Sequence, residues 1–529
     1  MPRGAPTLIP PPPTTILGEA LTARQQALFT ADAYNGLVRG YAPQLVDAFL
    51  LSRPGLLAIG DTLNEQVNGS ISVRDADGQQ FLIVGTPLKW WSFNNTTLLW
   101  ANITGTALVG ANTQPVIFAF WQLTSTQIVI GTNRADLPRQ FNLTGTAYTT
   151  LSNAPRADSV AIVANRAVFA RTVEAGVKFP SRARWSAAGD QTTYPAGAFV
   201  DVGDTADQAV AVRALGRRAG AFYKEHSQWI LNAVARASDA NAFEVLMLDK
   251  QPGPMGAAAI DDGPGGLTHV YLGLDGNLYL FDGVRVSLLA WTSEKIAGDL
   301  AFASSPLTCV KYFPREQEVW VLVPLGADVL PTNLLIYSVK TGGIYLEKLG
   351  VALSHLGSYF AETQTIINSL PDVVIDNLPN IPIDQLGLTT TGTKLTAGSA
   401  TKMFEWSGAT DDGTAITVDW QWALPVLDGE EYEIDGVEAI FRDPGSDVTV
   451  TISVKLGSTW DNLVETTLGT INPNANETTV PPAGTPPTLP ASGALRGRVA
   501  VVRILVTASV ALRLRRLEVW GWHRKLAVG

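Results

Sequence analysis

The chain has 529 residues, is 46% hydrophobic and only 16% charged, and carries a net charge of −10 with a pI near 5.0. That length exceeds one ordinary core, so two or more domains are expected. An acidic chain is a poor general binder of nucleic acid, although an acidic wall suits a duct past which phosphates must slide. The single cysteine, Cys309, excludes an internal disulfide framework and a thiolate zinc cluster.

Taken in order, residues 1–18 form a proline-rich arm, read as extended. Its prolines occupy the place of a secretory apolar core. Residues 21–35 are the best helix candidate, ended by Asn35-Gly36, and a shorter helical reading covers Pro43 to Leu51. Together these make an N-terminal arm over 1–60. No run of about 18 apolar residues occurs, so no membrane span is expected.

From about residue 66 the pattern is an apolar strand, a polar turn and another apolar strand. It recurs near residues 66, 115, 161, 211, 270 and 308, at roughly 40–50 residues, the spacing of propeller blades. The clearest unit is HVYLGLDGNLYLFDG, ending at Gly283, where Asp275-Gly276 is expected to make a two-residue type I′ turn with both residues at positive φ. Leu278 and Leu280 then face one way, Tyr279 and Phe281 the other, and a sheet apolar on both faces is one sandwiched between neighbours. Residues 61–410 are therefore read as a β-propeller of about six blades, with seven as the alternative. A Pro-, Asn- and Asp-rich surface excursion lies near 360–400. From 411 to 529 the alternation of Val448, Val450, Ile452 and Val454 against Thr449, Thr451 and Ser453 predicts a half-buried strand of a C-terminal β-sandwich closing on its own core. The fold class is all-β.

Catalytic patterns are weak. His226, His269, His355 and His523 stand at no metal-ligand spacing, and His226 and His269 read as turn or rim residues. DDGPGG lacks the Lys-Ser/Thr end of a phosphate loop. Glycoside hydrolysis needs paired carboxylates or a tyrosine with an acid. The Ser-x-Asp-x-Gly-x-x-Trp boxes of sialidase-like chains are missing, and Glu225, Glu316 and Glu318 read as solvated charges at turns and strand edges. Asp261-Asp262 and Asp411-Asp412 lack the alternating spacing of a calcium loop and read as turn residues. No catalytic, metal or cofactor residues are assigned, and no enzyme activity is expected. Arg513 and Arg515 alternate with Leu512 and Leu514. With Arg516, Trp520 and Trp522 they are the interface candidates: an electrostatic seam and aromatic anchors against a neighbouring subunit.

Several segments resemble, in order, those of the nozzle or hub proteins at the distal end of short bacteriophage tails. They are YNGLVRG with SRPGLL, ANRAVFA leading to RWSAAGD (Arg184 to Asp190), AGAFYKEHSQWIL (Ala219–Leu231), GPMG, YLGLDGNLYLFDG (Tyr271–Gly283) and PTNLLIYSVKTGG (Pro331–Gly343). In the last, Ile344-Tyr345 stands where such proteins usually carry a Trp. The resemblance covers roughly residues 30–350 and leaves the C-terminal sandwich without a counterpart. It implies a virion structural protein located in the tail. It also implies a homo-oligomeric ring, typically a hexamer, in contact with the portal, adaptor and other tail proteins. Viral double-stranded DNA would pass through that ring, and be gated there, without sequence-specific binding. The other reading kept open is a tail-associated protein that binds host glycan, with a propeller glycoside hydrolase behind it.

Overall fold

The computed structural model describes residues 55–361 and 392–525, apart from 424–429, 481–495 and shorter gaps, preceded by the strands Thr7–Ile9, Gly36–Arg39 and Phe49–Ser52. It is all-β. Six consecutive four-stranded antiparallel sheets occupy Gly69–Asn102, Ile117–Thr150, Arg156–Asp201, Ala209–Asp249, Ile260–Ala290 and Cys309–Lys348. These are blades 1 to 6 of a propeller. A seventh is composite: Leu353–Ala361, Gly392–Ser399 and Met403–Trp406 are joined at their outer edge by Leu56–Ile59, which pairs antiparallel with Met403–Trp406. A strand from the start of the chain thus completes the last blade.

The first strand of each blade lies innermost, and hydrogen bonds between neighbouring blades run around the ring, most of them at or just before these strands. Val116 N donates to Asn68 O at 2.9 Å between blades 1 and 2, and Thr132 Oγ1 to Ala157 O at 2.6 Å between 2 and 3. Ser159 Oγ reaches Val212 O at 3.3 Å, Arg213 reaches Ile260 O at 2.9 Å, and Val310 N reaches Ala258 O at 3.0 Å. Ser354 Oγ donates to Val67 O at 2.6 Å and closes blade 7 onto blade 1. Between blades the packing is apolar, with Trp90, Trp121, Trp185 and Trp320 fully buried. A tryptophan in such a strand buries on the order of 200 Å², so each of these four rings is a large part of its own cluster of buried aliphatic and aromatic side chains.

The turns follow local chemistry, with one departure from expectation. Genuine two-residue I′ turns occur at Ala164-Asn165, with φ of 49° and 57°, and at Ala175-Gly176, with φ of 49° and 84°. At Asp275-Gly276 the last paired residues are Leu272 and Leu278, and only Gly276 has positive φ, at 79°. Gly276 N donates to Gly273 O at 2.9 Å and Gly273 N to Asn277 O at 2.8 Å, making a longer turn with one left-handed residue. Asp275 is held there as an acceptor: Oδ1 takes Asn277 N, and Oδ2 takes Asn277 Nδ2 and the Tyr279 hydroxyl, at 2.7–3.1 Å.

The C-terminal part is a two-sheet sandwich. One sheet contains Thr414–Ala423, Val499–Ala508, Val450–Gly457 and Val464–Ile471; the other is built on Glu430–Phe441 and Arg513–Lys525. Its core holds Val448, Val450, Ile452 and Val454, as the alternation predicts, against Ile434, Val437 and Ala439 of the facing sheet. Two features depart from expectation. Thr7–Ile9, Gly36–Arg39 and Phe49–Ser52 join the second sheet, so the sandwich does not close on C-terminal residues alone, and Phe49–Ser52 is a strand where the sequence suggests a helix to Leu51. Its run Phe-Leu-Leu has no polar residue to form the far side of a surface helix, and tertiary pairing overrides its propensity. The predicted helix at 21–35 and the excursion at 362–391 lie outside the described residues.

Candidate functional site

Where the innermost strands converge they leave an axial cavity of about 250 Å³. Five blades supply its polar lining: Ser70, Arg213, Asp261, Cys309, Lys311 and His355 among others. Lys311 Nζ stands 3.0 Å from both Asp261 oxygens, and Tyr312 N donates to Asp261 Oδ2 at 3.0 Å, so this ion pair locks blade 6 to blade 5. Arg213 donates to Ala257 O at 3.2 Å and Ile260 O at 2.9 Å, and among the described residues it has no ion-pair partner.

A hydrogen-bonded chain crosses the seam between blades 1, 7 and 6. Ser70 Oγ and His355 Nε2 are 2.9 Å apart, and Cys309 Sγ lies 3.7 Å from His355 Nδ1. Leu356 N approaches the same sulfur at 3.4 Å. The order Ser–His–third group is that of an activated nucleophile, but the protonation states are wrong for it. Burial, helped by the Lys311 charge, pushes His355 down to about 3, and burial pushes the Cys309 thiol up to about 11. At neutral pH both are uncharged. The imidazole is a feeble base, and the third position holds a thiol instead of a carboxylate. Gly357 stands beside this chain because a Cβ there would lie 2.3 Å from Ser70 Oγ. The cluster acts as a polar clasp across the ring closure.

The residues that the sequence brings forward fall as follows. Cys309 is buried, as its strand context indicates. His226 lies exposed in a turn. His269 is a correction: it opens a strand but is only 1% exposed, with Nδ1 2.8 Å from the Tyr223 hydroxyl and Nε2 2.9 Å from Ala214 O, and burial lowers its affinity for a proton. Glu318 is a second correction. It is buried and accepts Trp320 Nε1 at 2.9 Å, because the strand Glu318–Val323 is covered on both faces. Asp261 is a strand residue paired with Lys311, and Asp411 is a buried strand residue accepting Gly350 N at 2.8 Å; neither serves a turn. Asp412, at φ 48°, is the turn residue of its pair.

Arg513, Arg516, Trp520 and Trp522 belong with Arg515 to the strand Arg513–Lys525, which is interior to its sheet: Trp520 stands opposite both Gly436 and Leu8, and Arg513 opposite Leu51. Their side chains, and that of His523, lie outside the described residues. Ser70, Arg213 and Lys311 belong to no motif, and the only signal they carry in the sequence is a polar residue in an apolar strand. Among the described residues no group of three or more His, Cys, Asp or Glu side chains is arranged to hold a metal ion, and no helix is long and apolar enough to cross a membrane.

No family model and no curated protein matches the chain. Among solved structures it is similar to the extracellular domain of a protein from B. thetaiotaomicron assigned as a one component system. The identity is 7% and the TM-score 0.38, over 74% of this chain and 44% of that one. The chain thus spans less than half the length of that structure.

Proposed function

We propose that this chain is the wall subunit of a bacteriophage tail nozzle, a structural virion protein whose copies form a ring through which the genome leaves. The observation that carries the reading is order. The segments that resemble nozzle proteins run consecutively through blade strands: Arg166–Glu174 and Val177–Trp185, then Ala219–Lys224 with Gln228–Ala233, then His269–Leu272 with Leu278–Phe281, then Asn333–Ser338. The propeller axis is not itself the passage, since a cavity of about 250 Å³ lined by the innermost strands is far too small for a duplex. The DNA path runs between copies, and the chain's net charge of −10 discourages phosphate from sticking. Portal, adaptor and other tail proteins cap the two ends. Electron microscopy of the purified full chain tests this. Closed rings with an opening wide enough for a duplex are expected, and particles that stay single at every concentration would overturn it.

One observation favours a second reading, a host-glycan receptor. A groove of about 940 Å³ is lined by Phe81, Phe93, Phe141 and Tyr359 with Gln79 and Asn95, and no charged side chain lines it among the described residues. Phe93 and Phe141 are buried at its floor, while the half-buried Phe81 and Tyr359 and the amides suit the two sides of a sugar ring. A glycan array decides it: saturable binding of a neutral oligosaccharide supports this reading, and a blank array removes it.

A further inference from the structure

The axial cavity holds two charges that the clasp does not use. Lys311 and Asp261 answer one another, and burial keeps His355 uncharged. Arg213 from blade 4 and Asp262 from blade 5 line the same cavity. A guanidinium has five N–H donors. Nη2 of Arg213 donates to Ala257 O and Ile260 O, while Nε is buried with no hydrogen-bond partner and Nη1 donates to nothing among the described residues. A charged donor left bare beside a cavity is destabilising until water or a ligand meets it. Asp262 is its counterpart. Its carboxylate is 80% exposed, which puts it at the open side, and among the described residues the basic group within 4 Å of it is His269 Nε2, at 3.8 Å. That ring nitrogen is already 2.9 Å from Ala214 O, and burial lowers the imidazole's proton affinity, so the carboxylate faces a neutral ring.

We infer that the axial cavity binds a free α-amino acid, with its carboxylate on Arg213 and its ammonium at Asp262. The charges of the lining select this class. A simple anion would meet Asp261 and Asp262 as well as Arg213, and a simple cation would meet Arg213 and Lys311; a zwitterion turned the right way meets only opposite charge. The spacing agrees. Ile260, whose carbonyl Arg213 holds, lies two residues before Asp262 in one strand, so roughly 7 Å of backbone separates the two charges, a gap that one amino-acid headgroup can bridge. The volume of about 250 Å³ suits a small amino acid. Bound there, it would satisfy the bare guanidinium donors and tie blade 4 to blade 5. The site lies within one propeller, so it does not depend on how copies assemble.

Saturation-transfer NMR on the full-length chain tests this with three probes at neutral pH and constant low ionic strength: L-alanine, propionate and ethylamine. Saturable binding of alanine is expected, with propionate and ethylamine each several-fold weaker. Arg213→Gln should weaken alanine by about tenfold or more, the loss of charged hydrogen bonds. That variant also gives up bonds to two carbonyls, so Asp262→Asn, at an exposed position that does not threaten folding, secures the test. It should weaken alanine by about threefold, the worth of a partly solvated ion pair, and erase its advantage over propionate. No saturable alanine signal from the wild-type chain would overturn the inference and leave water as the cavity's occupant. Propionate binding as tightly as alanine, or an alanine affinity unchanged in Asp262→Asn, would overturn it too.

Discussion

His355 offers a quantitative test of the axial clasp. An unfolded histidine titrates near 6.5; burial and the facing Lys311 hold the folded imidazole down to about 3, with Asp261 opposing more weakly. The unfolded state therefore binds the proton first as pH falls. The sign follows: the neutral imidazole's contribution is complete above pH 6.5 and is lost progressively toward pH 3, at about 1.4 kcal/mol per pH unit. Between pH 7.5 and pH 4.5 that is about 3 kcal/mol. His355→Gln keeps an amide able to meet Ser70 and removes the titration. Urea denaturation of both chains, followed by tryptophan fluorescence at several pH values, isolates the effect, because every other carboxylate and histidine titrates in both. The wild-type advantage over the variant is expected to shrink by about 3 kcal/mol across this range with unchanged m-values. A difference that stays flat to within about 0.5 kcal/mol would refute the burial argument and the assignment of His355 as a neutral clasp.

Three further outcomes are expected. With its pKa raised to about 11 by burial, the Cys309 thiol should stay unreactive toward a maleimide in the native chain and label stoichiometrically in urea; rapid native labelling would contradict its place behind Leu356. Gly253→Ala would put a Cβ 1.7 Å from Lys224 O, a backbone atom with nowhere to go, so a loss of about 3 kcal/mol or more is expected by thermal or urea melting. Asp411→Ala strands the amide of Gly350 at the joint between propeller and sandwich. It should cost about 1–3 kcal/mol and open that joint to limited proteolysis before either core is cut.

How much of this was legible in the sequence depended on the range of the signal. Blades 1 to 6 were visible because each is a contiguous meander with its own turns, and Gly78, Gly276 and Gly283, at φ of 83°, 79° and 87°, sit where the Asp-Gly pairs marked them. The exact turn at Asp275 was not legible, because its carboxylate accepts from Tyr279 and Asn277 and so fixes a longer loop than Asp-Gly alone implies. Blade 7 was hidden for a plainer reason: Leu56–Ile59 pairs with Met403–Trp406 across almost the whole propeller sequence. The axial site was hidden in the same way, since Ser70 and His355 are 285 residues apart. Glu318 and His269 mislead because a polar residue at a strand end looks like a solvated rim until a neighbouring blade covers it.

The joint between the two parts is a shared sheet rather than a linker. Leu56–Ile59 lies between Met403–Trp406 of blade 7 and Thr410–Asp411, and Thr410–Asp411 leads by a hairpin into Thr414–Ala423 of the sandwich, so one nine-stranded sheet runs from propeller to sandwich. Asp412 N donates to Leu56 O at 2.9 Å, and Gly55 comes so close to Thr410 that a Cβ would lie 2.1 Å from its carbonyl oxygen. Trp406, which ends the blade 7 strand just before this crossing, packs its ring edge-on against Trp320 of blade 6 at 4.9 Å. Two domains joined by a flexible linker would move independently by default. Here the strand that closes the propeller ring is also the strand that starts the bridge to the sandwich. The joint is thus continuous sheet rather than a free linker.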